Sequence, residues 1–305
     1  MHANTPDIAV VIPALNAAAH LRTALSSLAA QDADFEAVLV DGGSRDDTVA
    51  IASSANVRVI AAPGTSIYEA HNRGFVETSA PAIVLLNADD VLLPGALAAW
   101  RDALAQAPAA GIARGRATFA ELGNTGVADP IAGADERAAP ALDTDLLLRG
   151  PCAINSLCIR RTVFDRIGAF DTKYRLAADR EWMLRAWIAA VPMVEIERPV
   201  YRYLMHDGSS TIDRARKNFA LVRRENIDIA TRYLTGAPAG PASAETLRAV
   251  RQWHAAETTM LASHLLRSRE LGGLAETARS AFQTAPLWPL RGAGEVAAWL
   301  WKKAR

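Results

Sequence analysis

The first hundred residues alternate short apolar runs with segments of helical spacing, and no other feature constrains the fold as strongly. The segment after the first run, for example, carries Leu21, Leu25 and Leu28 at helical spacing. Strands that alternate with amphipathic helices in this way pair in parallel. We therefore predict an α/β fold with a doubly wound, mostly parallel, Rossmann-like sheet. Its first four strands are expected within 7–16, 35–44, 57–62 and 82–87.

Polar residues follow three of these four apolar runs. The three clusters are Pro13–Asn16, Asp41–Ser44 and Asn87–Asp90. In doubly wound sheets the ligand lies beyond the carboxyl ends of the strands. Because parallel strands end on the same side of the sheet, the topology alone predicts that the three clusters form one site.

The stretch Asn87-Ala88-Asp89-Asp90 places one carboxamide and two carboxylates at a strand end. Mg²⁺ and Mn²⁺ prefer oxygen ligands of this kind. Such a cation can bridge a diphosphate and neutralise the charge that builds on a leaving nucleotide. The alternative is that Asp89 or Asp90 caps the next helix or supports a turn. The residues by themselves leave both interpretations open.

Asp41 stands at the end of the second strand, before Gly42 and Gly43. Its carboxylate could accept a hydrogen bond from a nucleobase N–H or a ribose hydroxyl, and the glycines would let the backbone approach closely. An ordinary Asp-Gly turn explains the same residues.

The second half of the chain repeats the pattern less regularly. Strands are expected in GIARGRATFA, AINSLCIRR and PMVEIERPVYRYLMH, and an amphipathic helix in AADREWMLRAWIAA. From residue 214 the sequence is mostly helical, and a linker is predicted at 235–243. We predict a catalytic domain over 1–213 and a helical C-terminal extension over 214–305.

Charge is unevenly distributed, although the formal net charge is zero. Residues 214–305 contain 15 Lys and Arg against 7 Asp and Glu, whereas the rest of the chain contains 18 against 26. A basic extension beside an acidic body indicates either an anionic surface for the extension or a solvated helical face. We expect no nucleic-acid partner.

Localisation is expected to be cytoplasmic, either free or peripheral at the inner membrane face. The N-terminus has no signal-peptide pattern, and no stretch approaches the roughly 18 to 20 apolar residues of a membrane span. Cys152 and Cys158 lie in an apolar stretch and are expected to be buried, inert thiols.

Five segments in order resemble family 2 glycosyltransferases of the GT-A fold, in particular the bacterial branch that builds exopolysaccharides and other surface glycans. They are VVIPALN, VLVDGGSRDDTVAIA, YEAHNRG, LLNADD and AADREWMLRAW. The resemblance covers roughly residues 7–213, and residues 214–305 match no family that we can name.

The resemblance implies inverting transfer of a sugar from a UDP-, GDP- or dTDP-sugar to the hydroxyl of a carbohydrate or lipid-linked acceptor. Asn87-Ala88-Asp89 occupies the position of the DXD motif, so that Asp89 would bind Mn²⁺ or Mg²⁺. The Asn departs from the strict motif and leaves open whether the cation has one or two protein carboxylates. Asp179 matches the catalytic base of the family, whereas the residues alone favour a plain helix N-cap.

Further positions follow from the rim of the sheet and the resemblance together. His206 would reach the metal or the diphosphate, the alternative being a surface histidine in a turn. Arg73 would offset diphosphate charge. Tyr201-Arg202-Tyr203 replaces the motif of processive polymerases, which favours transfer of one sugar at a time. The predicted donor-binding residues are Pro13, Ala14, Asn16, Asp41, Asn72, Arg73, Asn87 and Ala88.

The sequence disfavours three rival functions. A non-catalytic GT-A-like binding module is disfavoured by the retained acids, and a nucleotidyltransferase by the lack of a Gly-rich phosphate loop in PALNAAAH. An NAD-type oxidoreductase is disfavoured because the G-x-G-x-x-G motif of such enzymes does not follow the first strand.

In the C-terminal extension, His254, Glu257 and His264 are interpreted as ordinary helix residues. The tryptophan-bearing basic end fits a membrane interface, packing against the catalytic domain, or a second subunit in a homodimer.

Overall fold

The computed structural model describes residues 6–122, 128–130, 154–206, 217–236 and 242–292. The chain divides into two compact units. The first unit comprises Met1–Ala141, Ala153–Ala178 and Ala190–Ile212. The second unit comprises Leu142–Cys152, Asp179–Ala189 and Asp213–Arg305. The functional division at residues 213 and 214 stays a prediction.

The predicted alternation of strands and helices is confirmed in the first unit. Its four strands are β1 (Ile8–Ala14), β2 (Phe35–Asp41), β3 (Arg58–Ala61) and β4 (Ala82–Leu85). The helices that follow the first three are α1 (Ala18–Ala29), α2 (Thr48–Ser54) and α3 (Ile67–Glu77).

The remaining elements of the first unit complete one sheet. They are β5 (Val91–Leu92), α4 (Ala96–Gln106), β6 (Ile112–Leu122), β7 (Ala128–Pro130), a 3₁₀ turn at Ile154–Ser156, β8 (Leu157–Arg160), α5 (Arg161–Ile167) and β9 (Met193–Met205). β9 is one strand, although the register of its pairing with β6 shifts where Arg116 faces Pro199. Proline cannot donate to a ladder, which explains an irregularity at this point.

The strand order is β3-β2-β1-β4-β8-β6-β9-β5, and β7 pairs with β6. The β3-β2-β1-β4 half is parallel, and β8 joins it in antiparallel orientation. Register places Ala14 of β1 opposite Asp41 of β2, and Val11 opposite Leu85 of β4. The ends of the three strands therefore lie side by side, as the polar clusters predicted.

Gly74 shows how closely α3 packs on the sheet. All seven residues of β1 are buried, as expected for a strand covered on both faces. A Cβ atom at Gly74 would overlap the Cγ1 atom of Val11. α3 runs through Gly74 without a break, because glycine allows the close approach to β1.

The second unit is helical, and its elements in the described residues are α6 (Ala178–Ile188, which enters this unit at Asp179), α7 (Phe219–Leu234), α8 (Ala244–Arg267) and α9 (Leu271–Thr284). Ser243 caps α8 by accepting a hydrogen bond from the backbone N–H of Thr246. Glu257 of α8 accepts hydrogen bonds from Arg223 of α7 and from the Trp253 indole. The C-terminal helical extension expected from the sequence is therefore present.

Several smaller predictions have clear outcomes. Cys158 is fully buried and unpaired with another cysteine, and burial raises the pKa of its thiol. His254 and Glu257 are buried helix residues, and the His264 ring packs near Phe219. Cys152, the basic end after residue 292, and most of 111–150 beyond residue 122 lie outside the described residues. Among the helices that the structure describes, none is long and apolar enough to cross a membrane.

Candidate active site

The loops after β1 and β2 are joined by hydrogen bonds through Asn16. Its backbone N–H donates to the Ser44 hydroxyl (2.8 Å), and its side-chain oxygen accepts from the Arg45 backbone N–H (2.9 Å). Asn16 has a left-handed backbone (φ 51°), which asparagine tolerates better than most residues. Its side chain orders the rim of the sheet, and its predicted contact with the donor stays a prediction.

The first turn of α1 is capped by Thr48, the first residue of α2, and by Asp46, which lies just before that helix. The backbone N–H of Ala17 donates to the Thr48 hydroxyl (2.8 Å), and that of Ala18 donates to the Asp46 carboxylate (3.0 Å). The hydrogen bond from the Thr48 hydroxyl is the main cause that lowers the pKa of Asp46. These contacts fix the position of α1 against the rim.

Asp41 is almost fully buried, at 6% exposure, at the end of β2. Its carboxylate accepts hydrogen bonds from the backbone N–H groups of Gly43 (3.1 Å) and Ser44 (3.1 Å). The Asp-Gly turn that the sequence offered as the alternative for Asp41 is therefore present. A carboxylate has about four lone-pair sites, so these two donors leave room for a nucleotide group. Pro13 and Ala14 lie beside this position, opposite Val40 and Asp41 in the β1–β2 ladder.

Asp90 holds the loop after β4 against β9. Its carboxylate accepts hydrogen bonds from the Tyr201 hydroxyl (2.8 Å), the Asn87 amide (2.9 Å) and the Leu204 backbone N–H (2.9 Å). Burial, followed by the neighbouring charge of Asp89, raises the pKa of Asp90 to about 7. Burial also raises the pKa of the Tyr201 phenol. Asp90 therefore supports the loop, and its short contacts leave Asp89 as the carboxylate that faces outward.

Asn87 is fixed on both sides of its amide. The side-chain oxygen accepts from the Asn155 amide (3.2 Å), while the nitrogen donates to Asp90. The Tyr203 hydroxyl in turn donates to the oxygen of Asn155 (3.3 Å). Ala88, between Asn87 and Asp89, is buried.

Sequence reasoning missed Asn155, Tyr201 and Tyr203 as supporting residues. Tyr201 and Tyr203 are two positions apart on one strand, so the alternation of side chains already placed them on one face. No signal in the sequence singled out Asn155.

Asp89 and His206 meet at the rim, although 117 positions separate them in the sequence. The Nε2 atom of His206 lies 3.1 Å from the Oδ2 atom of Asp89, and the two side chains are 17% and 32% exposed. Ligands about 2.1 Å from a metal ion on adjacent corners of an octahedron lie about 3 Å apart. One oxygen and one imidazole nitrogen suit Mn²⁺, so these residues fit such an ion. The described residues contain no group of three or more metal-ligating side chains.

A second histidine, unnoticed in the sequence, lies beside this pair. The ring of His20, on α1, stacks on the ring of His206 with centroids 4.2 Å apart and planes inclined by 28°. Burial, followed by the charge of His206, lowers the pKa of His20.

Asn72 and Arg73, on α3, have partners within the first unit. The Asn72 amide donates to the Phe170 carbonyl (2.9 Å) and accepts from its N–H (3.0 Å). Arg73 forms an exposed ion pair with Glu77 one turn later (2.7 Å). Asn72 thus anchors the segment around Phe170, and a contact of either residue with the donor stays a prediction.

Asp179 belongs to the second unit, in the first turn of α6. It is buried, and its Oδ1 atom accepts a hydrogen bond from the Arg180 backbone N–H (2.8 Å). Two residues on, the fully buried Glu181 accepts from Arg185 (2.7 Å) and from the Tyr233 hydroxyl of α7 (3.1 Å). This network fixes α6 on α7. The role of Asp179 as a base stays a prediction.

Solved structures share this fold at low sequence identity. S. aureus TarS superposes with a TM-score of 0.58 at 18% identity, over 85% of this chain and 43% of that chain. The mannosyltransferase PcManGT from Pyrobaculum calidifontis, in complex with GDP-Man and Mn²⁺, superposes with a TM-score of 0.56 at 17% identity, over 98% and 87%. The sheet and its flanking helices define a glycosyltransferase fold of the GT-A class.

Sequence relatives narrow the assignment. Residues 9–166 match the model of the family described as Glycosyl transferase family 2. A PGL/p-HBAD biosynthesis glycosyltransferase of Mycobacterium bovis is 34% identical over 197 residues, which cover 60% of this chain and 70% of the relative. A protein of the same description from Mycobacterium tuberculosis matches equally. The chain therefore belongs to glycosyl transferase family 2.

Proposed function

We propose that the protein is a metal-dependent, inverting glycosyltransferase that moves a sugar from a nucleotide-sugar donor to a carbohydrate or lipid-linked acceptor hydroxyl. The observation that carries the proposal is the Asp89–His206 pair at the rim where β1, β2 and β4 end. Solved relatives of the same fold were crystallised with UDP, with UDP-GlcNAc, and with GDP-Man and Mn²⁺. These complexes support a UDP- or GDP-sugar as donor and Mn²⁺ as cation. The proposal also includes a dTDP-sugar and Mg²⁺, on the family resemblance alone.

In this mechanism the chain supplies three functions. Asp89 and His206 would hold the cation, whose Lewis acidity stabilises the leaving nucleoside diphosphate. Asp90, held by Tyr201, keeps the Asp89 loop in place, and Asp41 accepts a hydrogen bond from the nucleotide. Asp179 takes the proton of the acceptor hydroxyl as that oxygen attacks the anomeric carbon.

Binding of nucleotide and metal provides the direct test. Thermal unfolding would be followed with UDP, GDP, dTDP and CMP, each with and without Mn²⁺. At least one nucleoside diphosphate is expected to raise the midpoint more with Mn²⁺ than without it. Asp89→Asn should remove the Mn²⁺-dependent part. Asp102→Asn, an exposed acid on α4, is the matched control and should retain it. Stabilisation by none of the nucleotides would favour a non-catalytic binding module.

The same proposal places the enzyme in the cytoplasm, at the inner membrane face, in the synthesis of surface glycans or glycoconjugates. The names of the mycobacterial relatives support biosynthesis of this kind.

Four of the exposed apolar residues in the second unit lie on α9 or shortly after it: Leu271, Phe282, Leu287 and Leu290. Leu271 and Phe282 are three helical turns apart and share a face.

An anionic lipid surface is the occupant that we propose for this face. Four exposed arginines lie close to these apolar residues along the chain, at Arg267, Arg269, Arg279 and Arg291. The whole extension carries an excess of basic residues. Basic and apolar residues together are typical of interfacial binding. The protein should cosediment with phosphatidylglycerol vesicles and not with phosphatidylcholine vesicles.

Replacement of the apolar residues separates lipid binding from simple charge attraction. Phe282→Gln with Leu290→Gln should weaken cosedimentation, whereas Val76→Gln, at a residue on α3 that is at least as exposed as either, should not. Equal binding to both vesicles, or none to either, would contradict the membrane contact.

A further inference from the structure

His20 forms the back of the candidate metal site. Its ring stacks on the ring of His206 at 4.2 Å between centroids. His206 in turn directs Nε2 to the Oδ2 atom of Asp89 at 3.1 Å. The three side chains come from α1, the end of β9 and the loop after β4, so that only the folded sheet brings them together.

The ring of His206 needs an external constraint. His206 directly follows the last residue of β9 and lies in neither a strand nor a helix. Its ring orientation is therefore set by the groups that touch it, because rotation about χ2 is soft for histidine. A flat ring stacked on one face restricts that rotation and keeps the ring edge directed to Asp89.

The helix that carries His20 is a rigid support. Its first turn is capped by Thr48 and Asp46. Leu21 and Leu25, on the same helix, are buried in the core of the sheet. A ring on such a helix has little freedom to follow His206, so that the stack positions His206 and not the reverse.

We propose that His20 is a positioning residue, whose ring holds His206 in the orientation that offers Nε2 to a divalent cation bound by Asp89. This inference rests on the proposed metal dependence. His20 acts through its flat ring and contributes no ligand of its own, in agreement with the lack of a three-ligand cluster among the described residues. An apolar ring at position 20 should therefore replace it.

Mn²⁺ binding gives a readout that does not depend on catalysis. The full chain would be titrated with Mn²⁺ in the presence of saturating UDP and, separately, GDP, with bound metal measured by loss of the free-ion signal in electron paramagnetic resonance. His20→Ala and His20→Leu should weaken Mn²⁺ binding about 3- to 10-fold, in line with the value of one aromatic contact. His20→Phe should stay within about 2-fold of the wild type. Thr23→Ala, an exposed position on the same helix, is the matched control and should have no effect.

Coupling to His206 distinguishes positioning from a general loss of structure. In a His206→Ala background, His20→Ala should cause no further loss, since the ring that it orients is absent. Midpoints of thermal unfolding measured without metal should be alike for the position-20 variants. If His20→Ala altered the fold, the Mn²⁺ affinities of His20→Leu and His20→Phe would still test the inference.

Each contrary result has a distinct meaning. If His20→Ala bound Mn²⁺ as tightly as the wild type, this inference would be overturned, while the proposed metal dependence would stand. If His20→Phe and His20→Ala lost the same Mn²⁺ affinity, a ring nitrogen of His20 would be needed, and the positioning role would be overturned. Wild-type protein that binds no Mn²⁺ with either nucleotide would overturn the proposed metal dependence and this inference with it.

Discussion

Tyr201 donates its hydroxyl to Asp90 across 2.8 Å in the buried interior of the first unit, and this contact joins the middle of β9 to the loop after β4. The same phenol oxygen accepts from the Asn87 backbone N–H (3.2 Å). One side chain thus orders both ends of the Asn87–Asp90 loop. Asp89 can then keep a defined position without any buried contact of its own.

Tyr201→Phe should lower the free energy of unfolding by about 1–3 kcal/mol, because it removes one of the three hydrogen bonds to the buried Asp90 carboxylate and the acceptor of the Asn87 backbone N–H. The measurement is urea denaturation of the full chain. Tyr203→Phe, which removes a longer bond to Asn155, should cost less and serves as control. A Tyr201→Phe value within about 0.5 kcal/mol of the wild type would show that the loop is held elsewhere.

Asp179→Asn should reduce kcat by about 100-fold or more, because the acceptor hydroxyl loses its proton acceptor. Donor binding should change by less than about 2-fold, since the proposed donor site does not include this carboxylate. Steady-state kinetics and nucleotide titration separate the two effects, with Asp102→Asn as control. Turnover that survives in Asp179→Asn would show that another group is the base.

Stability should fall as the pH drops below about 6.5. Burial lowers the pKa of His71 to about 3 and that of His254 to about 4. In the unfolded chain both imidazoles bind protons near pH 6.5. Between pH 6.5 and pH 3–4 the unfolded state therefore binds protons that the folded state does not bind. The free energy of unfolding falls there by up to about 1.4 kcal/mol per pH unit for each histidine.

The two histidines can be tested one at a time. His254→Leu should flatten the dependence of unfolding free energy on pH between about 4 and 6.5, and His71→Leu should flatten it between about 3 and 6.5. Replacement of His254 is expected to be tolerated, because in the described part of the chain neither of its ring nitrogens has a hydrogen-bond partner. His264→Gln, partly exposed on the same helix, is the control. A profile unchanged in both Leu variants would refute this account.

Gly74→Ala should destabilise the protein despite the higher helix propensity of alanine. The added Cβ would overlap Val11 in β1, and overpacking of this kind costs about 1–3 kcal/mol, which exceeds the gain of about 1 kcal/mol in propensity. Gly272→Ala, on α9, is the matched control, since its Cβ would meet no atom within 4 Å. It should be neutral or stabilising by up to about 1 kcal/mol. Urea denaturation measures the free energy of unfolding of both variants. A Gly74→Ala variant more stable than the wild type would show that α3 can shift away from β1 without a loss of packing free energy.

The local pattern of the sequence predicted more of the fold than of the site. β1 to β4 and the helices between them follow from apolar periodicity, which depends on neighbours in the chain. The ends of β1, β2 and β4 were predicted to converge, and they do. By contrast, the sequence left open whether Asp90 helps to hold a cation, caps a helix or supports a turn, and its partners Tyr201 and Leu204 are more than 100 positions away.

The sequence by itself determined the alternating strands and helices, the polar clusters at the strand ends and membership of the family, because each is written in residues close together along the chain. Only the tertiary structure decided that His206 meets Asp89, that His20 stacks behind it and that Asn155 holds Asn87. Those contacts depend on β8 and β9 being inserted beyond β4 in the order β3-β2-β1-β4-β8-β6-β9-β5. Strand order is selected by the packing free energy of the whole sheet, which no local run of residues encodes.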